Sequence, residues 1–142
     1  MSLADTKLQQ NLSADSLFRL CRSHFHDLPD HRAADVAIPL DDALMSAFAM
    51  FSLKDPSLLA FDQRRRDPRD NFRSIYGIDH VPSDSQMRSI LDPLNPQSLR
   101  APFTDIFRRL QRGKILQRFS YLDGHYLLSL DGTNYFSSST IH

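Results

Sequence analysis

Apolar residues recur at helical spacing along most of this chain, and the pattern turns strand-like only after Gly113. Residues 1–12 are polar without a clear period and read as a flexible tail. Ser13 is placed to cap a helix that puts Leu17, Leu20, Cys21 and Phe25 on one face. A polar connector from His24 to Arg32 follows. From Pro39 the pattern is again helical: Asp41 and Asp42 occupy the first turn, and residues 43–53 are apolar almost all round. That run reads as the central core helix, with Met45, Phe48 and Phe51 as core positions rather than a ligand stripe. Asp55-Pro56 predicts a further short helix through Phe61.

Gly77 supplies a helix stop after Tyr76. Ser83 and Gln86 have the spacing of a capping box, and the helix they start turns Met87, Ile90 and Leu91 inward. Asp92-Pro93 ends that helix, and Asn95-Pro96 and Ala101-Pro102 begin the next helical pieces. Phe103, Ile106, Phe107 and Leu110 then fall on one side of an amphipathic helix. Beyond Gly113 comes an Asp-Gly turn at Asp123-Gly124. A strand follows from about Tyr126 to Asp131, and a returning strand over residues 134–141. The fold expected is mostly α: a helical module over residues 13–118, then the first β-hairpin of a sheet over 119–142. A two-stranded hairpin is marginal alone, so the chain reads as ending inside a domain.

Charge sharpens this picture. The chain has 142 residues and zero formal net charge, yet residues 63–118 hold twelve Lys or Arg against six Asp. Fourteen of the seventeen basic residues are Arg, the type suited to forked phosphate contacts. Residues 100–118 carry Arg100, Arg108, Arg109, Arg112, Lys114 and Arg118 against Asp105 alone, the best nucleic-acid patch in the chain. Arg64, Arg65, Arg66, Arg69 and Arg73 are interleaved with Asp67 and Asp70. They read either as a phosphate-facing surface or as a self-paired, solvated one. Ser85 and Arg88, in the first turns of the capping-box helix, would face DNA if that helix were the reading helix of a helix-turn-helix.

Other chemistry is thin. His24, His26 and His31 with Asp27 and Asp30 suggest a metal cluster, but no spacing matches a helical pair of ligands, and a solvated connector is the better reading. One cysteine, Cys21, excludes an internal disulfide framework and fits a reducing compartment. No basic region leads into an apolar core at the N-terminus, and no apolar run reaches the ~20 residues of a membrane helix. The expectation is a cytoplasmic protein without a membrane partner.

Residues 119–141, with Tyr121-Leu122-Asp123-Gly124, Leu128-Ser129-Leu130-Asp131-Gly132-Thr133 and Tyr135-Phe136-Ser137-Ser138, resemble the opening of the catalytic domain of bacterial insertion-sequence transposases of the DDE type. The upstream blocks Val81-Pro82-Ser83-Asp84-Ser85-Gln86-Met87-Arg88 and Leu110-Gln111-Arg112-Gly113-Lys114 are similar to the helical N-terminal part of such proteins. The resemblance implies an RNase H-like α/β domain, incomplete here, preceded by a DNA-binding region. It also implies transposon-end DNA as partner, a homodimer as a further association, and Mg²⁺ as cofactor of the full-length parent. Asp131 maps onto the first catalytic acid, a metal ligand on a rigid strand. The chain departs from the pattern in having no Glu and no acid after Asp131. By itself it cannot supply the Asp-Asp-Glu triad, and strand cutting by this chain alone is not expected. The alternatives are a non-catalytic DNA-binding regulator of transposition and a helical interaction protein.

Overall fold

The computed structural model describes residues 12–32, 36–67 and 71–127. The elements in order are α1 (Ala14–His26), α2 (Leu40–Ser52), α3 (Leu58–Arg64), a single π turn (Phe72–Tyr76), α4 (Asp84–Leu91), a 3₁₀ turn (Pro96–Leu99), α5 (Arg100–Arg112), a second 3₁₀ turn (Ile115–Phe119) and a small hairpin, β1 (Ser120–Tyr121) and β2 (His125–Tyr126). The protein is mostly α-helical, as its apolar spacing predicts. None of the helices among the described residues is long and apolar enough to cross a membrane.

Local chemistry sets most boundaries. Ser13 Oγ accepts the Ser16 N–H at 3.2 Å and starts α1. The capping box of α4 is complete: Gln86 Oε1 accepts the Ser83 N–H at 2.9 Å, and Ser83 Oγ accepts the Gln86 N–H at 3.4 Å. Asn95 Oδ1 accepts the Gln97 N–H at 3.0 Å, opening the first 3₁₀ turn at Pro96. Gly77 ends the π turn with φ 69°, a conformation open to glycine at little cost. The cap of α3 differs from expectation. Ser57, not Asp55, accepts the Ala60 N–H, because the Asp55 carboxylate is engaged by Arg64 from the far end of the helix.

The core lies around α2, which packs on α1, α4 and the π turn. Leu40, Ala43, Leu44, Met45 and Ala49 are buried there against Cys21 and Phe25 of α1, Phe72 and Tyr76 of the π turn, and Met87 and Ile90 of α4. Phe18 joins them from α1, stacked on Tyr76 with ring centres 5.1 Å apart and edge-on to Phe48 at 5.4 Å. One core position expected of α2 is not in the core: Phe51 is 75% exposed. The helix is covered on the sides that meet α1, α4 and the π turn, and Phe51 lies in its last turn off those faces.

The Asp123-Gly124 turn closes the small hairpin, with Ser120 opposite Tyr126 and Tyr121 opposite His125. Thus Tyr126 pairs backward with β1. Residues 128–131 of the expected opening strand, Asp131 among them, and the returning strand over 134–141 lie outside the described residues, as do residues 1–11 of the expected tail.

Candidate nucleic-acid interface

The predicted DNA-facing residues fall on two separate parts of the fold. Arg64, Arg65 and Arg66 lie at the end of α3, which packs on α4, whereas α5 packs on α1. Ser85 and Arg88 stand on the exposed face of α4. Arg108, Arg109, Arg112 and Lys114 belong to α5 and its end, and Arg69 lies outside the described residues.

The α3 arginines hold the fold's own carboxylates. Arg64 Nε is 2.8 Å from Asp55 Oδ2, and the contact is forked through Nη2. Arg65 Nε is 2.6 Å from Asp62 Oδ1, and Arg66 reaches the other oxygen of the same carboxylate. Asp62 and Asp55 are largely enclosed, so these pairs answer a desolvation demand. The Arg65 hydrogen bond holds the Asp62 carboxyl below the usual range. Of the two readings open for this run, self-pairing describes Arg64 to Arg66. On α4, Arg88 Nε lies 2.9 Å from Asp84 Oδ1 one turn earlier, an exposed pair of little energy, and Ser85 is exposed beside it.

On α5 the geometry is different. Pro102, Asp105, Ile106, Arg109 and Leu110 turn toward the rest of the molecule. His24 Nε2 lies 2.9 Å from Asp105 Oδ2, and this contact, ahead of Arg108, holds the Asp105 carboxyl below its usual range. Arg109 Nη1 approaches Ser16 Oγ at 3.5 Å. Both contacts tie α5 to α1. The outward side carries Arg100, Arg108 and Arg112, and Lys114 continues it past the helix end. Arg108 touches Asp105 at 3.2 Å; no acceptor is found for Arg112 or Lys114 among the described residues. Lys114 sits at φ 57°, which turns the chain after α5. At the helix end the tip of the Leu12 side chain lies where a Cβ on Gly113 would project, and Gly113 has an ordinary φ of −76°.

Phe103 and Phe107, expected on the buried side, are each 54% exposed. The face of α5 against α1 is too narrow to take them, and they flank it. Phe103 closes an apolar trough with Phe25, Leu44, Phe48, Phe51 and Leu99, of about 480 Å³.

Two groups of residues escape a linear reading. Arg19 and Arg22, outside any basic run, and Arg73, from the basic run after α3, line one cavity between α1 and the π turn. Asp42, read as a helix-dipole acid, is buried and accepts from Arg22 and from the His80 backbone. Among the described residues no group of three or more His, Cys, Asp or Glu side chains could hold a metal ion. Comparison with protein-family models, characterised proteins and solved structures finds no match.

Proposed function

We propose that this chain is a DNA-binding module, the N-terminal part of a DDE-type transposase, and that α5 is its principal contact with DNA. The observation that carries the DNA reading is the outward face of α5. Arg100, Arg108, Arg112 and Lys114 project from a helix whose opposite side is locked to α1 by Asp105 and Arg109. A rigid helix bearing Arg side chains with few competing acids matches what a phosphate backbone demands. The transposase assignment rests on the motif resemblance at residues 81–92 and 119–141, and Asp131 would be the first catalytic acid of the parent enzyme. With no Glu in its 142 residues, the chain acts in this reading through binding rather than strand cutting.

Selection from a pool of random duplexes tests the assignment. A transposon-end binder enriches one sequence, found as an inverted pair flanking its own gene. Binding without enrichment would reduce the role to sequence-blind association and remove the transposon-end claim.

A second reading, a helical interaction protein, is favoured by the apolar trough beside Phe51, Phe103 and Phe107. Exposed aromatic surface of that kind marks association sites. It predicts a protein ligand and no salt-dependent DNA affinity.

A further inference from the structure

The cavity between α1 and the π turn has a volume of about 270 Å³ and plays no part in DNA binding through α5 alone. Its walls bring together Arg19 and Arg22 of α1, Arg73 and Ser74 of the π turn, the backbone at Gly77, and one carboxylate, Asp15. Three arginines therefore line a space with a single acid in its walls.

The three arginines are not equally committed. Arg22 Nη2 is anchored 2.8 Å from Asp42 Oδ1 and 3.2 Å from Asp41 Oδ2. Its Nη1 is enclosed and has no acceptor among the described residues, which is costly for a guanidinium donor. Gly77 forms the wall beside it: a Cβ there would come within 3.5 Å of Arg22 Cδ. Arg73 Nε is 2.9 Å from Asp79 Oδ1, but both side chains are exposed, and such a pair exchanges partners at little cost. For Arg19 no acceptor is found among the described residues. The helix that carries Arg19 and Arg22, α1, is also the one on which α5 packs.

We propose that this cavity is a phosphate-binding pocket, with Arg19 and Arg73 as its direct ligands and Arg22 as a fixed positive charge behind them. The phosphate is a backbone phosphodiester of a duplex whose other phosphates meet Arg112 and Lys114. Asp15 opposes it and sets an upper limit on affinity. This source of phosphate rests on the DNA-binding reading; the pocket's chemistry does not.

The test compares the wild-type chain with R19A/R73A, R112A/K114A and D15N, each confirmed as folded by circular dichroism. Duplex affinity is measured over a range of salt. Each phosphate that the protein ceases to neutralise lowers the slope of log K against log salt by about 0.9. The pocket predicts that reduction in R19A/R73A and tighter binding in D15N. If R112A/K114A has a shallower slope while R19A/R73A does not, DNA binding stands and the pocket is overturned. If the wild type binds no duplex, the DNA reading fails, and melting with inorganic phosphate against chloride at equal ionic strength decides the pocket alone. A phosphate-induced rise in melting temperature in the wild type but not in R19A/R73A supports a site for free phosphate; equal behaviour overturns it.

Discussion

Arg22 Nη2 and Asp42 Oδ1 lie 2.8 Å apart and join α1 to the first turn of α2. Asp42 is 1% exposed, and its other oxygen accepts the His80 N–H at 2.9 Å, so one carboxylate binds three segments of the chain. Removing it leaves the half-buried Arg22 with only its longer contact to Asp41 at 3.2 Å, and the His80 amide without its acceptor. Asp42→Ala should cost about 2–4 kcal/mol, between the values for exposed and fully buried pairs. Asp42→Asn, which keeps an acceptor for His80, should cost less. Urea unfolding midpoints of the two variants check the order.

The Asp62 carboxyl is held below the usual range, first by the Arg65 hydrogen bond. A lowered folded pKa adds stability that is complete above the unfolded value and is lost as pH falls through the folded one. Asp62→Asn should therefore be less stable than wild type near neutral pH. The gap should narrow below about pH 4, where the unfolded carboxyl gains its proton. Chemical unfolding at a series of acid pH values reads this directly, and a constant gap would contradict it.

Lys54 follows the end of α2 at φ 57°, the left-handed position where glycine is the usual residue. Lys54→Gly should raise stability by about 0.5–1 kcal/mol, the strain relieved less the added freedom of the unfolded chain. An increase in melting temperature is the expected result.

Met45 and Phe51 look alike in the apolar pattern of α2 and differ in the fold, fully buried in one case and 75% exposed in the other. Met45→Ala should cost about 2–5 kcal/mol. Phe51→Ser should change stability by no more than about 0.5 kcal/mol. It should also reduce binding of an apolar dye to the trough.

Caps at Ser13, Ser83 and Asn95 and the stop at Gly77 depend on neighbouring backbone, so short-range spacing in the sequence reveals them. The fates of Phe51, Phe103 and Phe107 depend on which helix packs on which face, and helical periodicity cannot distinguish a covered flank from an open one. The roles of Asp42 and Asp55 are hidden in the sequence for the same reason: their partners Arg22 and Arg64 lie outside helical spacing, whereas Asp62 meets Arg65 and Arg66 at i+3 and i+4. Within the candidate interface, the net charge of 100–118 points to α5. The Arg19, Arg22 and Arg73 pocket leaves no linear trace, because α1 and the π turn are brought together only by folding.

Duplex binding through the outward face of α5 is the central claim, and its salt dependence is the most direct test. Affinity should fall steeply with salt. R108A/R112A/K114A should weaken binding to every sequence and lower the slope by about one for each phosphate left without its cationic partner. An unchanged affinity and slope in that variant would contradict the claim.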